Sequence, residues 1–455
     1  MKFCALLQVD MSGQKCCAAF ENMFCFGGIA AMKDYIQICS TVIKRIKEAM
    51  NDPAFLELYK DTNRFKRNRL LPMAKVLMYL LFTTKASMFQ NTARIRDELP
   101  KLKFPNVSKQ AVSKARMGIL PDCFLALSRI CVETFYKHRR HLHKRWKGYH
   151  VFAIDGSKTE VPDTVENGIF FGAIPFGKDR KPHVMALLSS LYDVLEDIIV
   201  DGRLYPYGHS ERMAAKDHIQ RLKALSIKGK NLIVFDRGYT AAWLYEEIAS
   251  NGFYFLVRCK IGSRAGHDSR TDFMEHLKVQ YTGNTVPVRY IRFVLDTGEE
   301  ELLATNILDP LVTIEDFKKL YFLRWGLESK YLEAKEQMQL EEFSGYALRS
   351  VQQEIYINLL YMNLTSIMKH AADDEIRANS NPENKYEYQA NRAFIIGRLK
   401  YLLPRMIING HIRKTLEDFL NEAIKRRSQI QPDRKYERHK SPPRRKHFTN
   451  RKTAL

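Results

Sequence analysis

The sequence predicts an α/β protein with a mixed sheet, preceded by an all-helical region. Three observations carry this. Residues 33 to 146 keep helical periodicity throughout. From Tyr149 short apolar, β-rich runs alternate with amphipathic segments: three strands, a helix, a strand, a helix and a strand. A further pair of strand-like runs then interrupts the alternation before helices resume. At 455 residues the chain exceeds one simple core, so several domains are expected.

The opening "MKFCALLQVDMSGQKCC" holds an acid and polar groups where a signal peptide keeps an apolar core. Four of the eight cysteines fall in the first 25 residues, but none forms a C-x2-4-C pair, which disfavours a zinc site. Residues 1–32 are a leader without assigned function. The helical region, 33–146, begins with the amphipathic "MKDYIQICSTVIKRIKEAM", followed by "LPMAKVLMYLLFTTKASM" with Pro72 at a first helical turn. In "PNVSKQAVSKARMGIL" Ser108 caps a short helix whose exposed face offers Lys109, Gln110, Ser113, Lys114 and Arg116. A polar, basic third helix suits a helix-turn-helix-like DNA reader, and equally an ordinary bundle with a solvated face. The run "KHRRHLHKRWKG" closes the region; His138, His141 and His143 read as phosphate contacts or solvated groups.

Residues 147–260 form the first part of the α/β layer. "YHVFAIDGSKTEV" reads as a strand ending in Asp155, and "KNLIVFDRGYTA" as a buried strand ending in Asp236. Ser210 is placed as the N-cap of "SERMAAKDHIQRLKAL". Residues 261–318 are a β-rich insertion, with two strands joined through Asp296-Thr297-Gly298. Residues 319–375 return to the layer through "YFLRWGLESKYLEAK", read as one helix, and a buried helix. Residues 376–424 are a C-terminal helical region.

Charge narrows the partners. The chain has 73 Lys+Arg against 51 Asp+Glu, a net +22. Its last segment, 425–455, holds 12 of those cations against 2 acids, and reads as a basic tail that orders only on an anion. Such an excess favours nucleic acid over membrane, because counterion release rewards each phosphate neutralised. A soluble protein with a basic tail would show the same balance. No apolar run reaches the roughly 18 to 20 residues of a membrane span, so a cytoplasmic location is expected.

The chemistry rests on carboxylates. Reactive groups in α/β sheets gather at the carboxyl ends of strands. If the strands bearing Asp155 and Asp236 are neighbours, their carboxylates stand close together. Glu328 could join them from a helix packed on that edge, and Tyr321, Arg324, Glu328 and Lys335 would then share one helix face. Three converging acids call for a divalent cation, and Mg²⁺ with oxygen ligands suits phosphodiester chemistry. Singly, each acid reads as a cap or turn residue, and Arg324–Glu328 as a surface i,i+4 pair.

Tyr321, Arg324, Glu328 and Lys335 together match Y-x2-R-x3-E-x6-K, and the sequence thereby resembles the DDE-type bacterial transposases of the IS-four insertion-sequence family. "IDGSK" around Asp155 and "FDRGY" around Asp236 resemble the family's other two blocks, and the likeness spans about residues 60 to 370. Asp236 follows Asp155 by 81 residues and Glu328 follows Asp236 by 92, the second interval housing the insertion. The resemblance implies an RNase H-like catalytic domain and cut-and-paste transposition. It implies Asp155, Asp236 and Glu328 as catalytic ligands of two Mg²⁺ ions, with Mn²⁺ able to substitute. It further implies DNA contacts from Tyr321, Arg324 and Lys335 beside Lys109, Lys114 and Arg116, and a homodimer acting on double-stranded DNA at paired terminal inverted repeats. Two other readings keep the fold: an inactive, domesticated DNA-binding relative, and a different RNase H-like nuclease.

Overall fold

The computed structural model describes residues 24–25, 32–66, 70–138, 143–174, 183–295, 298–381 and 383–430. The cysteine-rich leader before residue 24, His141, Asp296, Thr297 and the basic tail beyond Ile430 lie outside them.

The centre is a mixed sheet. Strand β1 (Tyr149–Glu160) pairs antiparallel with β2 (His183–Asp193), which pairs antiparallel with β3 (Ile198–Pro206). On its other side β1 runs parallel to β4 (Lys230–Phe235), and β4 runs parallel to β5 (Tyr254–Cys259). The order 3-2-1-4-5, with only β2 reversed, is that of an RNase H-like sheet. Parallel neighbours need long crossovers. Helix α6 (Glu211–Leu225) carries the chain from β3 to β4, and α7 (Ala242–Ser250) from β4 to β5. The apolar run of β4 is buried on both faces, as a central parallel strand requires.

The insertion does not stand apart. Strands β6 (Asp272–Lys278), β7 (Thr285–Val294) and β8 (Glu300–Thr305) form an antiparallel meander, and β8 pairs with β5 from Leu302↔Cys259 to Thr305↔Leu256. The insertion therefore lengthens the central sheet rather than forming a separate β unit, because the free edge of β5 offers unpaired backbone groups.

Strand alternation divides the sheet into two apolar faces. Val151, Leu232, Val234 and Leu256 meet helix α8 (Ile314–Phe322) through Phe317, Leu320 and Tyr321. Phe152, Ile233, Phe235 and Phe255 belong to the larger cluster with α6, α7 and the helical region.

That region comprises α1 (Met32–Asn51), α2 (Met73–Phe82), α3 (Met88–Glu98), α4 (Lys109–Arg116) and α5 (Asp122–His138). Ser87 and Gln90 close a capping box on α3, and Ser108 caps α4 by accepting from the Ala111 N–H at 3.2 Å. These helices share one core with α10 (Leu348–Ala378), α11 (Arg392–Asn409) and α12 (Ile412–Lys425). Arg427–Gln429 pairs with Tyr388–Ala390, so order extends six residues into the segment read from sequence as tail.

The 31-residue α10 runs through this core, and its polar groups are matched one by one. Asn363 donates to and accepts from the Ile199 backbone, at 2.8 Å each way, and so satisfies an edge of β3. Gln353 binds the Arg116 and Ile119 carbonyls, and Glu354 pairs with Arg116 at 3.0 Å. Burial acts to raise the Glu354 pKa, but Arg116, Lys85 and the Ser344 donors outweigh it and hold the carboxyl at about 2. A depressed carboxyl stabilises the fold above its unfolded value near 4.5 and ceases to as pH falls through its folded value. Glu354→Gln should therefore cost about 3 kcal/mol at neutral pH and flatten the loss of stability between about pH 4.5 and 2, followed by urea unfolding across that range.

Candidate active site

Asp155 and Asp236 are set by strand register. The parallel pairing of β1 with β4 ends at Ala153↔Val234, and the two aspartates sit two residues past it on adjacent strands. Contrary to the sequence reading, β1 does not stop at Asp155. Its antiparallel partner β2 carries the ladder on to Glu160↔Met185, opposite Ser190 at Asp155 itself. Only the parallel partner is gone, and that opens the space beside Asp155. Asp236 does leave its strand: it opens a 3-10 turn over Arg237–Tyr239 and accepts from the Gly238 N–H at 2.7 Å. Asp155 accepts from the Gly156 N–H at 2.8 Å.

The segment expected to be one helix is two. Helix α8 ends at Phe322, and α9 (Trp325–Glu336) starts after a tight turn at Leu323 and Arg324. Leu323 and Arg324 bond back three residues, to Leu320 and Tyr321. The reason is tertiary. Tyr321 packs on one face of the sheet, whereas Leu327, Tyr331 and Ala334 of α9 belong to the cluster on the other. Tyr321 is thus buried under the site with its hydroxyl pKa pushed up to about 12 by burial, and does not share a face of α9.

Arg324, at the turn, is the residue that joins the acids. Its side chain is 7% exposed; one terminal nitrogen lies 2.8 Å from Glu328 and the other 3.8 Å from Asp155. The guanidinium also lies over the Trp325 and Tyr321 rings, 5.1 and 5.7 Å from their centroids. Its Nε–H has no protein partner. The three carboxylates do not converge directly as expected: among the described residues no three His, Cys, Asp or Glu side chains are grouped to hold a metal ion. Glu328, 40% exposed, faces outward on its pairing with Arg324.

Helix α9 is pinned from beneath. Tyr331 donates to the carbonyls of Asp155 at 2.8 Å and Leu188 at 3.2 Å. Lys335 donates to the Lys158 carbonyl at 2.6 Å and approaches Glu341 at 3.6 Å, so its ammonium serves the protein backbone on this face rather than pointing to a phosphate. Lys330, 2% exposed, meets Asp197 at 3.0 Å, Glu333 at 3.5 Å and the Ser366 hydroxyl at 2.9 Å. Arg392 pairs with both Asp197 and Glu333. Two cations thus face two anions in a buried square; burial opposes ionisation of Asp197, but Lys330 and Arg392 drive its pKa far below the ordinary range.

One acid escaped the sequence reading. Glu211, the first residue of α6, packs against Gly156: a Cβ there would lie 3.2 Å from the Glu211 carboxyl carbon. Burial raises its pKa and Asp236 adds to that. Ser210, expected to cap this helix, makes no side-chain cap bond. The buried Tyr239 hydroxyl lies near enough to Glu211 to oppose the rise, yet makes no hydrogen bond of normal geometry. Burial pushes Asp155 up to about 7; Arg324 and the Gly156 N–H pull against this, and Asp236 and Glu211 reinforce it. The signal in the sequence was an acid at a helix start just before the Asp236 strand, which reads more simply as a dipole-compensating residue.

In the helical region, Lys109 and Lys114 are exposed as expected. Arg116 is not. It is 2% exposed and bonds Gln353, Ser344, the Ser350 carbonyl and Glu354. It lies on the same side of α4 as buried Val112, four residues back, and that side faces α10. No helix among the described residues is long and apolar enough to cross a membrane.

Residues 146–364 match the transposase DDE domain family, so that segment is a transposase DDE domain. The likeness is of the IS4 type: the transposase InsG for insertion sequence element IS4, from Escherichia coli (strain K12), is 24% identical over 322 residues, 66% of this chain and 70% of InsG. Among solved structures, piggyBac transposase in a synaptic complex with hairpin DNA overlays at a TM-score of 0.44 and 11% identity, covering 87% of this chain and 84% of that one.

Removing one corner of the buried square should loosen the site helix. Lys330→Met leaves two buried carboxylates against one guanidinium, and a loss of about 3 kcal/mol is expected in equilibrium urea unfolding.

Proposed function

We propose that the chain catalyses cut-and-paste DNA transposition of an insertion sequence. Asp155, Asp236 and Glu328 act as the catalytic carboxylates, and a pair of chains works on paired terminal inverted repeats. The observation that carries this is Arg324, one guanidinium that touches both Asp155 and Glu328 beside the strand end Asp236 occupies.

The donor chemistry suits a hard divalent cation. The acids offer only carboxylate oxygens, and Asp236 and Glu211 crowd Asp155 with like charge that added positive charge would relieve. Bound by Asp155, Asp236 and Glu328, two Mg²⁺ ions would activate water or a 3′-hydroxyl and stabilise the leaving oxygen, with Mn²⁺ able to replace them. The chain's own residues supply the rest. Adjacent strands fix Asp155 and Asp236 in register, and Tyr331 and Lys335 hold α9 to β1 at Asp155 and at Lys158. Arg324, held between Asp155 and Glu328, keeps a fixed positive charge beside the acids where phosphate charge arrives. Glu328 faces the solvent from which DNA arrives. Lys109 and Lys114 contact DNA outside the site, while Tyr321 supports Arg324 from below.

Asp155→Ala, Asp236→Ala and Glu328→Ala should each abolish strand cleavage while leaving binding to end-containing duplex within a few-fold of the parent. The assay incubates each purified protein with duplex carrying the element's own ends and Mg²⁺, then sizes the strands. Nicking by the Glu328→Ala protein would remove Glu328 from the set.

A further inference from the structure

The helical region contains a cleft of about 1020 Å³ that the residues discussed so far do not explain. One wall is the stretch Asn63 to Lys66; the other is α4, which contributes Ser108 as its cap, Gln110 and Lys114. Arg64, Lys66 and Lys114 bring three cations to one concavity, and among the described residues no acid lines it. Asp61, which acts electrostatically on the same stretch, is bound to Arg349 at 2.8 Å. Among the described residues none of the three cations forms an ion pair within the protein. Like charges gathered on a concave surface repel each other unless an anion answers them. The volume is at the upper limit of small-molecule pockets, about 300 to 1000 Å³, and large for a lone phosphate.

The wall is held in place. Asp61 N–H donates to the Gly118 carbonyl at 2.9 Å, Leu120 N–H to the Tyr59 carbonyl at 2.9 Å, and Asn63 N–H to the Asp61 carboxylate at 3.1 Å. Gly118 has no room for a side chain: a Cβ would fall 2.6 Å from the Phe65 ring and 2.8 Å from the Arg64 Cβ. Phe65 adopts φ +53°, a left-handed conformation that a bulky residue keeps only when its surroundings impose it. A wall fixed before binding loses little conformational entropy when a ligand arrives.

The geometry points to a two-walled DNA clamp, in which Arg64, Lys66 and Lys114 grip the phosphates of duplex DNA while Asn63 and Gln110 reach base edges. It rests on the reading of the chain as a transposase. Arg and Lys neutralise backbone charge at any sequence, whereas Asn and Gln amides present the donor–acceptor pair that matches adenine. Lys109 is no part of the clamp: its ammonium lies 5.4 Å from the centre of the Phe89 ring, outside the cleft.

The test uses the full chain and fluorescence anisotropy over a range of salt, with three probes: a duplex of the element's terminal repeat, a scrambled duplex, and duplex RNA. Arg64→Ala/Lys66→Ala should weaken both DNA duplexes by roughly tenfold or more and flatten the slope of log K against log salt by about 2. Asn63→Ala/Gln110→Ala should weaken the repeat duplex alone, by roughly tenfold. Lys223→Ala/Lys414→Ala removes the same charge from exposed positions elsewhere and serves as control, with circular dichroism confirming the fold of each variant. If Arg64→Ala/Lys66→Ala binds as the parent or the control does, the clamp is refuted even though the parent binds DNA. Equal binding of duplex RNA by the parent would refute base reading in the cleft. A parent that binds neither DNA duplex would refute the transposase reading and the clamp with it.

Discussion

The buried pairing of Lys330 with Asp197 is the constraint on which the site depends. An ammonium 2% exposed is costly unless opposite charge and further hydrogen bonds surround it. Here Asp197, Glu333 and Ser366 do so, and Arg392 returns the balance to neutral. The square ties four parts of the chain: the β2–β3 turn, the site helix, α10 and the start of α11. Asp197 holds a φ of +55° at that turn, which a residue other than glycine adopts at some strain. The strain is offset by the contacts its carboxylate makes, including the Tyr192 hydroxyl at 2.6 Å. The height of α9 above the sheet, and so the reach of Arg324 and Glu328 toward Asp155, follows from this pairing.

Much of the fold was legible because it is written in local patterns. The β4 run is apolar throughout because both of its faces are covered, and α6 and α7 carry their periodicity openly. The meander β6–β8 was legible as strands but not as an extension of the sheet, since pairing between distant segments leaves no local trace. The helix break at Leu323 and Arg324 was hidden for a related reason. Both residues favour helix, and only the need to pack Tyr321 and Tyr331 on different faces of the sheet forces the turn.

The site shows the same division. Asp155 and Asp236 stood out as acids after buried strands, but their adjacency rests on a register of the kind sequence cannot state. Arg116 shows the opposite failure. Its neighbours Ser113 and Lys114 are exposed, and composition alone put Arg116 with them. Three residues of α10 and Ser344 just before it, far along the chain, draw it inward, and a cation in a polar helix gives no sign of a partner more than 200 positions away. Glu211 was passed over because an acid at a helix start has an ordinary use.

The continuity of β8 with β5 has a mechanical consequence. Hydrogen-bonded strands resist sliding past one another, so the meander cannot swing as a hinged flap would. A push on its outermost strand is passed across the shared backbone ladder toward β4 and Asp236, and the two ends of the sheet respond as one stiff plate.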